Sequence, residues 1–310
     1  MATIRDVARR AGVSIATVSR VVNRQPGIRP ETRGRVLDAI DELNFRPNAI
    51  GRSLKAGTSR VLGVMVPTLA NPVFAEAVEG LQHVARSAGY GVMVTTSDYD
   101  ADAERSAVET LMIGRVDGLI LTVRDAADPD TRGWLNAIER PVVLIYNEPG
   151  SRPTVTVDNA AAGAAAADLF YRLGHRRLAV VAGSLTGSDR SRARWLGFSN
   201  ELQGRGCPPP VKVEIPFDMT DLGATVDDLM AGADAPTGLF CSNDLIAMRT
   251  IAALRARGLS VPGHVSVLGF DGIAAGRFHP QPGMHCSWCQ YRRECMSWPG
   301  VSKAVEGRAA

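Results

Sequence analysis

Residues 3–23 read TIRDVARRAGVSIATVSRVVN, and their pattern predicts the structure of the first part of the chain. Thr3 is followed three residues later by Asp6, which is the spacing of a capping box, so a first helix is predicted to begin here. The apolar residues of that helix fall on one face, at Ile4, Val7, Ala8 and Ala11.

A tight turn and two further helices are predicted next. Gly12 suits the turn because it takes positive φ without strain, and Ser14 is a good N-cap for a second helix. A third helix is predicted after Pro30. The inward side chains of the two helices are predicted to be Val18, Val21 and Val22, then Val36, Leu37, Ile40 and Leu43. Three short helices joined in this way are typical of a helix-turn-helix unit.

The second helix is the candidate reader of DNA. Ile15 and Ala16 are apolar at positions predicted to be exposed, where they suit contacts with thymine methyl groups. Arg20 suits guanine, and Ser14 or Thr17 suits phosphate. From periodicity alone, a three-helix bundle without a ligand explains the pattern equally well.

Charge is distributed unevenly along the 310 residues. The first 60 residues carry a net charge of +7 and the rest carry −4, while the whole chain carries +3. A basic module on a mildly acidic body favours a polyanionic partner for that module. A solvated basic surface is the alternative.

The ordered segments 3–8, 11–14 and 17–23 resemble the headpiece of the LacI/GalR (lactose-repressor) family, and the similarity continues through residues 29–32 to residues 45–49. The resemblance implies a headpiece over residues 1–46, a homodimer and a double-stranded DNA operator. It also implies that Ile15 and Ala16 set operator specificity. The DNA-binding residues that it predicts are Thr3, Ser14, Ile15, Ala16, Thr17, Ser19, Arg20, Asn23, Arg52 and Leu54.

Residues 47–59 resemble the hinge and linker of the same family. There, Leu54 takes the place of a leucine that wedges between base pairs in the minor groove and kinks the duplex. Gly51 stands where the family more often has alanine, which costs a helix about 1 kcal/mol, so the hinge is expected to be disordered away from DNA. The alternative for Leu54 is a linker residue that packs on the body.

The body, residues 60–278, alternates apolar runs with helical stretches such as 75–88 and 160–172. This alternation predicts an α/β fold of parallel sheets covered by helices, in two lobes of about residues 60–160 and 161–278. Ligands of such folds bind at the carboxyl ends of the strands. The strands are predicted at residues 61–66, 91–95, 118–121, 142–146, 154–157, 178–182, 211–215, 238–241 and 265–270.

The order of segments in the body resembles the periplasmic-binding-protein-like core of the same family. The segments include residues 71–74, 157–159, 194–198, 242–244 and 269–271. The resemblance implies a sugar-like or other polar effector in the cleft between the lobes. By motif it implies Arg194, Asn243 and Asp271 as polar contacts and Phe74 as an apolar wall. Thr122 and Asn147 are further candidates because they end strands in the first lobe. Asn243 and Asp271 are also common turn residues after strands, which is the alternative for each alone. Phe217 falls one residue from the family's stacking aromatic and is left outside the predicted site.

Several classes of protein are disfavoured. The chain contains no nucleophile elbow, phosphate-binding loop, dinucleotide fingerprint or zinc-protease motif, which argues against an enzyme and against a cofactor. His175 is predicted to be a helix-to-strand junction residue. No apolar run is long enough to span a membrane, and no signal-peptide core is found, so a cytoplasmic, nucleoid-associated protein without a membrane partner is expected.

Residues 279–310 do not match the family. They hold three of the five cysteines. A metal knuckle of His285, Cys286, Cys289 and Cys295 is one interpretation, but the spacing is irregular. We favour a tail that is translated out of frame or joined from unrelated coding sequence, and no metal site is predicted.

The sequence therefore predicts a sequence-specific DNA-binding transcription regulator, with a repressor as the favoured form, controlled by a small effector. The alternative is a metabolite-binding or α/β enzyme domain with a non-specific basic head. A metal-dependent regulator acting through the cysteine tail is a third interpretation.

Overall fold

The computed structural model describes residues 2–23, 25–46 and 58–272. The chain divides into two compact units, with the boundary between Ser59 and Arg60, and each unit is described by itself. The predictions for Arg52, Leu54, the hinge and the 279–310 tail lie outside the described residues.

The first unit has the three predicted helices, α1 (Ile4–Ala11), α2 (Ile15–Val22) and α3 (Pro30–Glu42). Both hydrogen bonds of the capping box between Thr3 and Asp6 are present, and Gly12 has a φ of 61° at the turn. Ser14 caps α2 by accepting a hydrogen bond from the Thr17 amide at 3.1 Å. The core of this unit is built on the buried side chains of Val7, Val18 and Val36.

The prediction that Leu37 of α3 belongs to the core is wrong. Leu37 is 48% exposed, whereas Ala39 is buried beside Val36. The inward stripe runs through Val36, Ala39, Ile40 and Leu43, at helical spacings of three and four. Leu37 lies one position, or about 100°, away from Val36 around the helix and therefore faces solvent.

The second unit contains two parallel sheets covered by helices, as predicted. The first lobe contains β1 (Val61–Val66), α4 (Pro72–Ser87), β2 (Gly91–Thr96), α5 (Ala101–Ile113), β3 (Gly118–Leu121), α6 (Pro129–Ala137), β4 (Val142–Ile145) and β5 (Thr154–Val155). The second lobe contains α7 (Asn159–Arg172), β6 (Leu178–Gly183), α8 (Asp189–Gly204), β7 (Val211–Ile215), α9 (Gly223–Met230), β8 (Gly238–Cys241), α10 (Asp244–Ala256) and β9 (Ser266–Leu268).

The first sheet has the strand order β2-β1-β3-β4-β5. Successive residues of β1 serve opposite faces of this sheet, as strand geometry requires. Met65 packs with α5 and α6 on one face, and Val64 and Val66 pack with Phe74 of α4 on the other.

The second sheet has the order β7-β6-β8-β9, and helices cover both faces. Val181 packs with α9 and α10, while Val180 packs with α7 and α8. Helices α7 and α8 cross closely, because a Cβ atom on Gly163 would overlap the carbonyl oxygen of Arg194 and one on Gly197 would overlap that of Ala160. This crossing places Arg194 at a fixed depth in the second lobe.

His175 occupies the predicted junction between α7 and β6. Its ring nitrogens lie 2.9 Å from the hydroxyl of Thr237 and 3.1 Å from that of Ser266. Among the described helices, none is both long and apolar enough to cross a membrane.

Candidate functional site

A cavity of about 40 Å³ lies between the two lobes of the second unit. Its lining residues follow the carboxyl ends of strands: Tyr146 follows β4, Ser242 follows β8 and Asp271 follows β9. This is the expected ligand position in parallel α/β folds. The lining consists of Asn71, Val73, Phe74, Tyr99 and Tyr146 from the first lobe and Ser188, Arg190, Ser191, Arg194, Phe217, Ser242, Asn243 and Asp271 from the second. We call this site the cleft.

Four of the six predicted effector contacts come together in the cleft: Phe74, Arg194, Asn243 and Asp271. Arg194 is the buried cation among them. Its Nε donates to Asn159 Oδ1 at 2.9 Å, its Nη1 donates to the carbonyl of Ser242, and its guanidinium lies 3.3 Å above the ring centroid of Phe270. Burial lowers the pKa of Arg194 to about 10, so it remains charged at neutral pH.

Asp271 and Asn243 both have structural bonds at the edge of the cleft. The backbone amide of Asp271 donates to Asp244 Oδ1 at 3.2 Å, and the amide of Asp244 points back at Asp271 Oδ2 at 3.4 Å. Burial raises the pKa of Asp271, and the charge of Arg194 opposes that shift. Asn243 caps α10 through its side-chain oxygen, which accepts from the Ile246 amide at 2.8 Å. Asn243 therefore has a structural role after β8, where its predicted alternative was a turn residue, and it also lines the cleft.

Four aromatic rings line the cleft. Tyr99 from the first lobe stacks on Phe217 from the second, with ring centroids 3.7 Å apart and planes 9° from parallel. Phe74 meets Tyr146 edge to face at 5.6 Å. Phe217, which is left outside the predicted site, lines the cleft, and its ring lies where a Cβ of Gly183 would be. A glycine that ends β6 and an aromatic residue just after β7 are the sequence signal for this packing.

The structure does not bring Thr122 and Asn147 into the cleft lining. The hydroxyl of buried Thr122 donates to the Ile145 carbonyl at 3.1 Å. The amide of Asn147 accepts from the Val123 backbone at 2.9 Å and donates to the Val123 carbonyl at 2.7 Å and to Asp189 at 2.8 Å. These bonds occupy both side chains, so we assign them to structure rather than to effector contact.

Sequence reasoning missed Arg190, Tyr99 and Tyr146 in the cleft. Arg190 is buried, and its Nη1 donates to the Val123 carbonyl at 3.0 Å, whereas its Nη2 has no aligned hydrogen-bond acceptor. Burial raises the pKa of the Tyr99 hydroxyl, and the charge of Arg190 opposes the shift. The sequence Ser188-Asp189-Arg190 is typical of a helix start, and nothing in it distinguishes a cleft residue from an ordinary N-cap residue.

In the first unit, the side chains predicted to read DNA occupy an exposed part of α2. Ile15 is 46% exposed, and Ala16 and Arg20 are also exposed. The Ser14 and Thr17 hydroxyls lie 2.9 Å apart. Thr3 bonds Asp6, and Ser19 accepts from the Asn23 amide at 3.4 Å. An exposed apolar pair beside an exposed arginine is suited to the floor of the major groove.

A helix-turn-helix unit joined to a two-lobed α/β unit with a polar and aromatic cleft defines the class of ligand-responsive DNA-binding regulators. Residues 3–48 match the model of the bacterial regulatory proteins of the lacI family. Residues 59–285 match the model of the periplasmic binding proteins and sugar binding domain of the LacI family. The chain therefore belongs to the LacI family, and it is a DNA-binding transcription regulator.

Similar proteins support this class. The HTH-type transcriptional repressor PurR of Haemophilus influenzae (strain PittEE) is 32% identical over 286 residues, which cover 91% of this chain and 84% of the relative. A LacI family regulator from Silicibacter pomeroyi is similar in structure, with a TM-score of 0.76, 25% identity and coverage of 100% and 94%. The Lac repressor dimer bound to operator and the anti-inducer ONPF shares the fold, with a TM-score of 0.77, 24% identity and the same coverage. These relatives are regulators rather than enzymes.

Proposed function

We propose that this regulator represses transcription by binding a two-fold symmetric operator as a homodimer, and that a small polar effector in the cleft controls the binding. The observation that carries the proposal is the convergence of Arg194, Asn243 and Asp271 with aromatic rings from both lobes at one cavity. A site shared by two lobes links ligand occupancy to lobe arrangement, which is a common form of domain closure.

The chemistry of the cleft indicates the class of effector. Two buried guanidinium groups, one carboxylate and two amides are suited to hydrogen bonding with a hydroxyl-rich or charged molecule. The rings of Phe74, Tyr99 and Phe217 offer flat apolar walls for a sugar ring or another planar face. The Ser242 hydroxyl is buried without a hydrogen-bond partner in the described part of the chain, and Arg190, whose guanidinium faces the Tyr99 hydroxyl, has no well-aligned acceptor for its Nη2, so an effector with acceptor atoms would satisfy both.

The operator side of the proposal rests on α2. We assign the base contacts to Ile15, Ala16 and Arg20 and the positioning contacts to Thr3, Ser14 and Thr17, with Ser19 and Asn23 at the end of the same helix. Exposed apolar side chains on the first lobe, Val84, Met93 and Ile113, are the kind of surface that a second copy covers. In this proposal the protein acts at the nucleoid of the bacterial cytoplasm, requires no cofactor and carries out no reaction on its effector.

The test is a selection of duplexes from fragmented genomic DNA by the full chain, with and without a panel of monosaccharides and phosphosugars. We expect enrichment of a palindromic site that one member of the panel weakens or strengthens. Failure to enrich any sequence would contradict operator binding.

A separate variant tests the assignment of Asp271 to the cleft. Asp271→Ala is expected to abolish the effector response and to leave operator affinity measurable, because the carboxylate belongs to the cleft and not to the headpiece. Asp218→Ala, at an exposed carboxylate next to Phe217 but outside the lining, is the matched control. A normal effector response in Asp271→Ala would remove Asp271 from the site.

A further inference from the structure

A second polar cluster joins the two lobes beside the cleft. Residues 123–126 follow β3 in the first lobe and meet residues 189–192, the first turn of α8 in the second. The Asp189 amide donates to the Arg124 carbonyl at 2.8 Å, and Arg192 Nη2 lies 2.7 Å from Asp125 Oδ2. We call these two segments the interlobe clasp.

The carboxylate of Asp189 is the centre of the clasp. It is 1% exposed, and its Oδ2 accepts hydrogen bonds from Asn147 Nδ2 at 2.8 Å, the Glu148 amide at 3.2 Å and the Ala126 amide at 3.4 Å. All three donors belong to the first lobe. A buried carboxylate whose donors come from the other lobe loses those partners when the lobes separate, which is costly unless water replaces them.

A second buried carboxyl group lies under the clasp. Glu104 of α5 is 2% exposed, and its Oε1 accepts a hydrogen bond from the Arg124 amide at 2.6 Å. Burial raises the pKa of Glu104 to about 7. The charged groups that face it are Arg124 and Arg190, which lower that pKa, and Asp189, which raises it.

Arg190 connects the clasp to the cleft. Its Nη1 is held by the Val123 carbonyl at 3.0 Å and approaches Asp189 Oδ1 at 3.3 Å, both within the clasp. The same guanidinium lines the cleft, where it faces the Tyr99 hydroxyl, and its Nη2 has no well-aligned acceptor among the described residues. A ligand atom that accepts from Arg190 therefore acts on a side chain that is already bonded to residues 123–126.

We propose that the interlobe clasp couples the cleft to the first lobe, and that protonation of Glu104 tightens it. The coupling role rests on the proposed function, in which the cleft holds the effector. The contacts of the interlobe clasp itself are all within this chain and do not require an effector.

The direction of the proton effect follows from linkage. Glu104 is 2% exposed in the closed clasp, and this burial favours its neutral form; in the proposal, opening hydrates the carboxyl group and returns its pKa toward the ordinary value of 4.5. The closed form thus binds the proton more tightly. Raising the pH from 6 to 8 should increase the open population by up to about tenfold.

The clasp is tested by hydrogen–deuterium exchange of the full chain without DNA or effector. Arg192→Gln removes the link to Asp125 at a side chain that is 37% exposed, so the fold should persist. We expect exchange of residues 123–126 and 147–148 to rise severalfold. Arg205→Gln, at the residue that follows α8, breaks ion pairs to Asp168 and Glu201 within the second lobe, so it is the matched control and should leave these amides unchanged. No rise in Arg192→Gln, or an equal rise in both variants, would overturn the clasp.

The role of Glu104 is tested by Glu104→Gln, which keeps an acceptor for the Arg124 amide and removes the charge. After correction for intrinsic exchange, wild-type exchange at residues 123–126 should increase between pH 6 and pH 8, whereas the variant should show no increase. The same pH dependence in both proteins would refute this role. Since neither measurement uses operator or effector, their failure is distinct from failure of the DNA selection.

Discussion

Arg20 shows how a single exposed side chain carries a function that the core only supports. Val18 and Val21 anchor α2 in the first unit, while Arg20 on the same helix is exposed. An arginine in this position suits the two acceptors that guanine presents in the major groove. The side chain has no structural role in the described hydrogen bonds, so its replacement should affect DNA binding without affecting folding.

Arg20→Ala is therefore expected to weaken operator binding by about 1–3 kcal/mol and to relax the preference at one base pair. The measurement is a binding titration against the selected operator and a set of single-base variants. Arg35→Ala, at an exposed arginine of α3, should weaken binding evenly across those sequences or not at all. Full affinity and an unchanged base preference in Arg20→Ala would show that α2 is not the reading helix.

The residues of the cleft were only partly predictable, for a physical reason. Arg194, Asn243 and Asp271 stand in motifs at strand ends or on the helix after a strand, so the topology alone brings them near the cleft. Thr122 and Asn147 also follow strands, yet their polar atoms are used by neighbouring backbone groups. Which polar groups are already satisfied depends on tertiary contacts, and no sequence pattern contains that information.

Among the contacts between helices, the close crossing of α7 and α8 most affects the cleft. Gly163 and Gly197 allow each helix backbone to touch the other, and Arg194 lies on α8 between that contact and the cleft. Alanine has the higher helix propensity, by about 1 kcal/mol relative to glycine. The lack of space for a Cβ decides against alanine here, since the obstacle is backbone and not a flexible side chain.

Gly197→Ala is expected to destabilise the second unit by about 1–3 kcal/mol, because the helices must separate to admit the methyl group. Gly204→Ala on the same helix has open space around the new Cβ and should be neutral or slightly stabilising. Urea unfolding followed by circular dichroism distinguishes the two variants. If both behave alike, the helices are not in backbone contact at Gly197.

Strand positions were predictable because apolar runs bounded by turn residues define parallel strands well. All nine predicted runs contain a strand of the described chain, and the differences are at the ends, as in β9, where residues 265–270 were predicted and Ser266–Leu268 is found. Leu37 was wrongly predicted to be buried because two neighbouring apolar residues on a helix cannot both face the core. Only packing against α1 and α2 selects Val36 over Leu37.

The free energy of unfolding of the chain depends on pH through Glu104. Its pKa is about 7 in the folded chain against an ordinary value of 4.5, so the folded state favours the neutral carboxyl group. The stability that this group contributes is complete below pH 4.5 and is lost as the pH rises through 7. His175 acts in the opposite direction, because burial lowers its pKa and stability is lost as the pH falls below 6.5.

Glu104→Gln should therefore be more stable than wild type at pH 8, by up to about 3 kcal/mol, and nearly equal to it at pH 4.5. The control is Glu109→Gln, at an exposed position of the same helix, which should not change the pH dependence. Urea unfolding of the full chain at several pH values provides the measurement. Parallel stability curves for wild type and Glu104→Gln would contradict the assignment.

The Tyr99–Phe217 stack has a kinetic consequence for the proposed effector site. A cavity of about 40 Å³ is far below the roughly 300–1,000 Å³ of a typical ligand site, so an effector has to wait until the two rings part. Under rapid mixing, the observed association rate should then level off at high effector concentration, at a plateau equal to the rate of ring separation. The apparent dissociation constant exceeds the intrinsic one by the inverse of the open fraction. A smaller side chain at position 217 should raise the plateau, because the rings part more easily, while the loss of one apolar wall opposes any gain in affinity.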